Sequence, residues 1–253
     1  MTFFALLISG CSLFEQASPD LVINIDEDII LDIREHLGID GNGFYLNMTS
    51  QDSFECAGLE YDYQFNRRGQ VFYLQIKGLK NPSSCSGENH HVMNDLFITA
   101  ENGVYTFNLD IGPEITNQGV LTIEDDLVNL AFNENHGILV AHEKLFRIPQ
   151  GTVWGFVSGG EQLETVLSWV HENFMDIGDE SDLKAGYYGH FEIPQSDHVL
   201  KIIPEPEQTR IKTFVFHLNG DESQLQNFVD NFSGNFGESA LIEMTSWTGK
   251  TYH

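Results

Sequence analysis

The chain is poor in basic residues: 12 Lys and Arg stand against 38 Asp and Glu, for a formal charge of -26 at pH 7. Such an excess repels phosphate backbones and anionic lipid headgroups, which excludes nucleic acid as an expected partner. Cysteine is equally scarce, at three residues, and none of them forms the close Cys-x-x-Cys spacing that zinc favours. Past the N-terminus no apolar run reaches the length of about 20 residues that a membrane-spanning helix requires. Internal repeats, low-complexity tracts and blocks of like charge are missing as well. The acidic residues are spread along the chain and read as a solvated surface, the alternative being a cation-binding tract.

Several catalytic motifs are absent too. Ser158-Gly159-Gly160 lacks the Gly-x-Ser-x-Gly elbow of a hydrolase nucleophile and reads as a turn leading into a helix. The same glycines carry neither the dinucleotide fingerprint nor the Lys-Ser/Thr ending of a phosphate loop, so no cofactor is implied. What is present is a globular composition: 253 residues with 41% hydrophobic side chains hold one large or two ordinary domains.

At the N-terminus an uncharged apolar run, residues 3–8, leads into Ser9, Gly10 and Cys11. Ile8-Ser9-Gly10-Cys11 resembles the lipobox of bacterial lipoproteins, in which two small residues let the processing enzyme close on the bond before the cysteine. The resemblance implies a signal peptide over residues 1–10, a diacylglyceryl thioether on Cys11 and an acylated amino terminus. It further implies a cell-envelope location, with the membrane as partner through lipidated Cys11 on the periplasmic or external side. Each buried CH₂ of such chains contributes about 0.8 kcal/mol to attachment. The resemblance covers this segment alone, and Met1 and Thr2 lack the Lys or Arg that normally precedes the apolar run. The competing reading is an apolar N-terminus of a cytosolic protein with Cys11 as a small buried residue.

With Cys11 committed to lipid, Cys56 and Cys85 remain as an even pair that an oxidising compartment would join. Closing a loop of about 30 residues stabilises a fold by roughly 3 to 4 kcal/mol in the chain-entropy model. Two free buried thiols or half of a metal site are the other readings.

After a polar tether over residues 11–20, residues 21–149 show short alternating or β-branched segments separated by turn signals. Strands are expected at 22–25, 44–49, 59–65, 70–77, 95–100, 104–110, 120–124, 127–132, 137–141 and 144–148. The turn at Glu101-Asn102-Gly103 contains Asn-Gly, the strongest short hairpin signal. Their number and spacing predict an all-β sandwich of immunoglobulin-like character. From Gly151 the rhythm changes. A strand at 153–157 precedes a helix over 161–174, on one face of which fall Leu163, Val166, Leu167, Val170 and Phe174. Strands at 186–193, 199–203 and 211–218 follow, then a helix over 221–232 and a strand at 241–247. That order predicts a ferredoxin-like α/β domain over residues 150–253, with one strand unplaced, and an α+β class for the chain. Pro149-Gln150-Gly151 is the expected boundary, too short to be a flexible linker.

Alternation along 186–193 puts Tyr188, His190 and Glu192 on one face, and along 211–219 it puts His217 opposite Phe216 and Leu218. If the phenylalanines pack beneath helices, His190, Glu192 and His217 share an open sheet face. Two imidazoles and a carboxylate are a metal ligand set, which would make a metal-assisted hydrolase; the bland reading is polar residues on a solvent face. His90-His91 after Glu88 is a weaker candidate. The acidic turn Asp176, Asp179, Glu180 and Asp182, like Asp40-Gly41-Asn42-Gly43, lacks the spacing of a calcium loop and reads as turn chemistry. Trp154, Trp169 and Trp247 form either a sugar-stacking platform or parts of the core. The sequence therefore predicts a lipid-anchored envelope protein that binds a protein or glycan partner, with catalysis as the minority reading.

Overall fold

The computed structural model describes residues 29–38, 43–80, 85, 87–195, 199–207 and 210–253. Cys11, the tether, the strand expected at 22–25 and three residues of the turn at 40–43 lie outside these. The described chain is mostly β, with two α-helices, an α+β arrangement.

The first part contains β1 (Ile29–Glu35), β2 (Gly43–Phe54), β3 (Glu60–Arg68), β4 (Val71–Lys80) and β5 (His90–Thr99). It continues with β6 (Gly103–Ile111), β7 (Ile115–Ile123), β8 (Leu127–Phe132), β9 (Ile138–Val140) and β10 (Lys144–Phe146). They form a four-stranded sheet, β5-β2-β1-β9, and a six-stranded sheet, β10-β8-β7-β6-β4-β3. Most neighbours are antiparallel, but β1 runs parallel to β9 and β4 parallel to β6. Period-two alternation turns one face of each sheet inward: Leu31 and Ile33 of β1 and Leu46 of β2 meet Phe72, Leu74 and Phe107 of the other sheet in one core. Burying each such side chain contributes about 1.5 to 3 kcal/mol.

The chain passes from one sheet to the other between β2 and β3, and back again between β4 and β5. Cys56 follows β2 and Cys85 precedes β5, and a disulfide joins them with a Cα–Cα distance of 4.4 Å. It therefore ties together the two crossings at one end of the double sheet.

The second part runs β11 (Thr152–Ser158), α1 (Leu163–Phe174), β12 (Gly178–Glu180), β13 (Gly186–Tyr187), β14 (Phe191–Ile193) and β15 (Lys201–Ile202). It ends with β16 (Ile211–Leu218), α2 (Ser223–Phe236), β17 (Leu241–Ser246) and β18 (Thr251–Tyr252). A five-stranded antiparallel sheet has the order β12-β16-β11-β17-β18. Val166, Val170 and Phe174 of α1 and Leu225, Phe228, Val229 and Phe232 of α2 cover one of its faces. Asp221 accepts a hydrogen bond from the Ser223 amide at 2.8 Å, satisfying a donor at the start of α2. Hydrogen bonding from Ser223, its hydroxyl first and its amide second, holds the Asp221 carboxyl below the usual carboxylate range.

The single strand expected at 186–193 does not form. Gly189 adopts φ +80°, and Tyr188-Gly189-His190 turn the chain back, so β13 and β14 pair as a hairpin in a separate sheet with β15. This small sheet lies between the two larger bodies. Its Tyr188, Phe191 and Ile193 pack with Trp154 of β11 and with Leu37, Phe146 and Ile148 of the first part. Tyr187 joins the core of the first part outright.

Candidate functional site

β1 carries the side chains on which the two parts meet. Its inward residues anchor the core, so Asp32 and Arg34 face outward and Glu35 ends the strand. Asp32 Oδ2 accepts a hydrogen bond from Tyr187 Oη at 2.6 Å, and Oδ1 lies 3.0 Å from His142 Nδ1. The His142 ring stacks on that of Tyr187, with centroids 3.6 Å apart and planes 9° from parallel. Burial, and then the Asp32 charge, push the Tyr187 phenol well above its ordinary range, so it stays protonated and donates.

Glu35 is 8% exposed and fully engaged. Arg147 Nε donates to Oε1 at 2.9 Å, the Ile148 amide donates to Oε2 at 2.7 Å, and the Glu35 carbonyl accepts from His190 Nε2 at 2.9 Å. Because a carbonyl can only accept, the His190 proton sits on Nε2 and Nδ1 is left as an acceptor. Burial lowers the His190 pKa, which keeps the ring neutral at pH 7. Burial also pushes Tyr188 up to about 12, and its hydroxyl donates to the Lys184 carbonyl at 2.9 Å.

Two hollows flank the end of β1 and share Glu35 and His36. One, of about 790 Å³, opens at the mouth of the double sheet beside Phe44, Arg67 and Arg147. The other, of about 890 Å³, is a cleft between the two parts, with Arg34, Tyr45 and Asp95 on one side and Trp154, His190 and Glu243 on the other. The rings of His36, Tyr45 and Phe97 lie within 5.4 Å of one another and make the ridge between them. Phe97 is 44% exposed there, more than a core residue of its size would be.

The metal set expected from the sequence is not assembled. His190 lies in the turn between β13 and β14 and spends its Nε2 on Glu35. Glu192 is on β14, with Lys201 Nζ 3.9 Å away. His217 is an exposed residue of β16, flanked by Thr152 and Asp179 on neighbouring strands of another sheet. The alternation argument failed because the Gly189 turn breaks the strand on which it depended. Among the described residues no three His, Cys, Asp or Glu side chains converge on a point that could hold a metal.

His90 and His91 are also committed separately, His91 Nδ1 donating to the Ser50 carbonyl at 2.8 Å and His90 lying 3.5 Å from Glu88. In the acidic turn, Asp179 accepts from Asn219 at 2.6 Å. The tryptophans make no common platform: Trp154 is 3% exposed in the intervening core, and Trp169 packs edge-on against Phe232 and Phe236. Trp247 packs on the helix-covered core.

Asp32, Arg34, Glu35, His142 and Tyr187 are functional candidates that the sequence reading passed over. The signal was there in Ile29-Ile-Leu-Asp-Ile-Arg-Glu35, an inward series at every second residue with charge on the opposite face. Within the seam Asp32, Glu35, His142, Tyr187 and His190 are engaged with one another, with Arg147 or with the backbone. No protein-family model, curated protein or solved structure matches the chain.

Proposed function

We propose that this is a lipid-anchored bacterial envelope protein whose folded region binds a partner in the cleft between its two parts, without catalysis. The observation that carries the reading is the cleft itself: about 890 Å³, with walls from both parts, held by the Asp32–Tyr187 and Glu35–His190 contacts. Clefts at such boundaries are common ligand sites. Lipobox-like residues ending at Cys11 and a disulfide suited to an oxidising compartment support the envelope location.

The same reading takes the first part as an immunoglobulin-like sandwich, supported by two sheets over a single core. It takes the second as a ferredoxin-like domain, supported by the antiparallel order β12-β16-β11-β17 with helices after β11 and β16. The hairpin sheet β13-β14-β15 is then an insertion between β12 and β16.

A photo-crosslinking residue at Tyr45 in the producing cell tests the cleft, with the same residue at Thr122 on the outer face of the six-stranded sheet as the comparison. A discrete adduct from position 45 and none from 122 is expected; identical patterns from both would reject the cleft. The anchor is tested by intact mass of the membrane-extracted protein and by Cys11→Ala. The unmodified full-length mass, or a variant that still fractionates with membranes, would reject the lipoprotein.

A further inference from the structure

We infer that the outer face of the six-stranded sheet binds a neutral oligosaccharide, at a site separate from the cleft proposed above. A depression of about 250 Å³ on that face is lined by Gln64, Asn66 and Arg68 of β3, Tyr73 and Gln75 of β4 and Asp110 of β6. Strand register extends it in two rows. Asn66, Tyr73, Asn108 and Gln118 lie opposite one another on β3, β4, β6 and β7, and so do Gln64, Gln75, Asp110 and Thr116. Three strand spacings make each row about 15 Å long. The rows face outward because the alternate residues Phe72, Leu74, Phe107 and Leu109 are at most 1% exposed in the core.

The carboxamides of this face are uncommitted. Among the described residues the side chains of Gln64, Asn66, Gln75, Asn108 and Gln118 make no hydrogen bond, whereas Asn47 donates to Asp95 and Asn117 both donates to and accepts from the His136 backbone. Asn and Asp are disfavoured within strands, so Asn66, Asn108 and Asp110 break a local preference with no packing gain, which is the mark of a functional surface. A carboxamide presents a donor and an acceptor side by side, the complement of two neighbouring hydroxyls of which one accepts and the other donates. Tyr73 is 37% exposed, with the Arg68 guanidinium over its ring at 5.8 Å from the centroid, and offers aromatic surface to the C–H face of a sugar ring. Charge argues against a polyanion or a polycation: in a chain of formal charge -26, Asp110 is the one charged residue among the outward positions of β6, β7 and residues 71–75, and Arg68 in the same depression balances it. A peptide strand has no free edge to pair with here, because β4 lies between β3 and β6.

The test is an array of neutral oligosaccharides (glucans, mannans, galactans, xylans and chitooligosaccharides) probed with the full-length protein in a polyoxyethylene detergent, whose headgroup carries no sugar. Binding to one of these classes is expected, and calorimetric titration with a soluble member of that class then gives the affinity. Tyr73→Ala should weaken it by about tenfold, the order of one lost aromatic face. Asn66→Ala/Gln75→Ala should weaken it by about tenfold as well, through lost hydrogen bonds. Thr122→Ala, four residues along β7 from Gln118 and about 13 Å beyond the row, should leave it unchanged. All of these are surface substitutions, and unfolding midpoints equal to the parent's show that each variant is folded. Failure to bind any class on the array overturns the inference, and so does binding that survives both Tyr73→Ala and the double variant. Sugar binding lost with Tyr45→Ala but kept with Tyr73→Ala overturns this site and assigns the sugar to the cleft. Sugar binding lost through Tyr73, together with the position-45 crosslink, supports two separate sites.

Discussion

Tyr187 Oη donates to Asp32 Oδ2 at 2.6 Å across 155 residues of sequence, and the His142 ring lies flat against the phenol that makes the bond. This contact joins β13 to the central strand β1, so it belongs to the fold as much as to the site. Tyr187→Phe keeps the ring and removes the donor, leaving the Asp32 carboxylate, 14% exposed, short of one partner. A loss of about 1 to 3 kcal/mol is expected in urea unfolding. An unchanged midpoint would mean that water replaces the phenol at no cost.

His190 makes stability depend on pH. Its pKa is lowered in the folded protein from an ordinary 6.5, by burial first. As pH falls below 6.5 the unfolded chain takes up this proton and the folded chain resists it, so stability is lost on acidification. The contribution is at most about 1.4 kcal/mol per pH unit, down to the folded value. His190→Gln should flatten the pH dependence of the unfolding midpoint below pH 6.5. A variant as acid-sensitive as the parent would show that other groups carry the effect.

The disulfide ties the two crossings between the sheets, and its loss should be felt as a global destabilisation. Cys56→Ala/Cys85→Ala is expected to cost about 2 to 5 kcal/mol, and reductant should bring the parent to the same midpoint while leaving the variant unmoved. A parent insensitive to reductant in denaturant, with a free-thiol count to match, would contradict the pairing.

Gly155 admits no side chain. A Cβ at this position would lie 2.0 Å from the Glu243 carbonyl oxygen of the adjacent strand, a backbone atom that cannot swing away. Gly155→Ala must therefore part β11 from β17, and loss of soluble folded protein is expected. Gly69→Ala, where nothing lies within 4 Å and only φ +60° is unfavourable, should cost about 1 kcal/mol. Comparable losses at the two positions would undo the distinction.

His217 serves as the check on metal chemistry. It is exposed on β16 and shares no centre with His190 or Glu192, so His217→Ala should change stability by less than about 0.5 kcal/mol. Elemental analysis before and after the substitution should give the same result. Stoichiometric metal that disappears with His217 would restore the hydrolase.

Much of the secondary structure was legible. Strands at 127–132 and 211–218 were read to the residue as β8 and β16, and the spacing of Val166, Val170 and Phe174 and of Leu225, Val229 and Phe232 marked both helices. β1 was overlooked. Asp32, Arg34 and Glu35 make its sequence look like surface, although Leu31 and Ile33 are at most 1% exposed. In the site, His190 was noticed for the wrong reason, as one of three ligands on a continuous strand that Gly189 interrupts.

Periodicity and turn residues are properties of neighbours along the chain, and they marked most of the strands and both helices, while cysteine arithmetic paired Cys56 with Cys85. Which faces meet is a property of strand register and sheet order, which neighbouring residues do not encode. Folding alone brought Tyr187 to Asp32, His190 to the Glu35 carbonyl and carboxylates from separate strands to one cleft. Each of those contacts depends on pairings between segments many tens of residues apart, and a shift of one residue in any of them would turn the side chains to the opposite face.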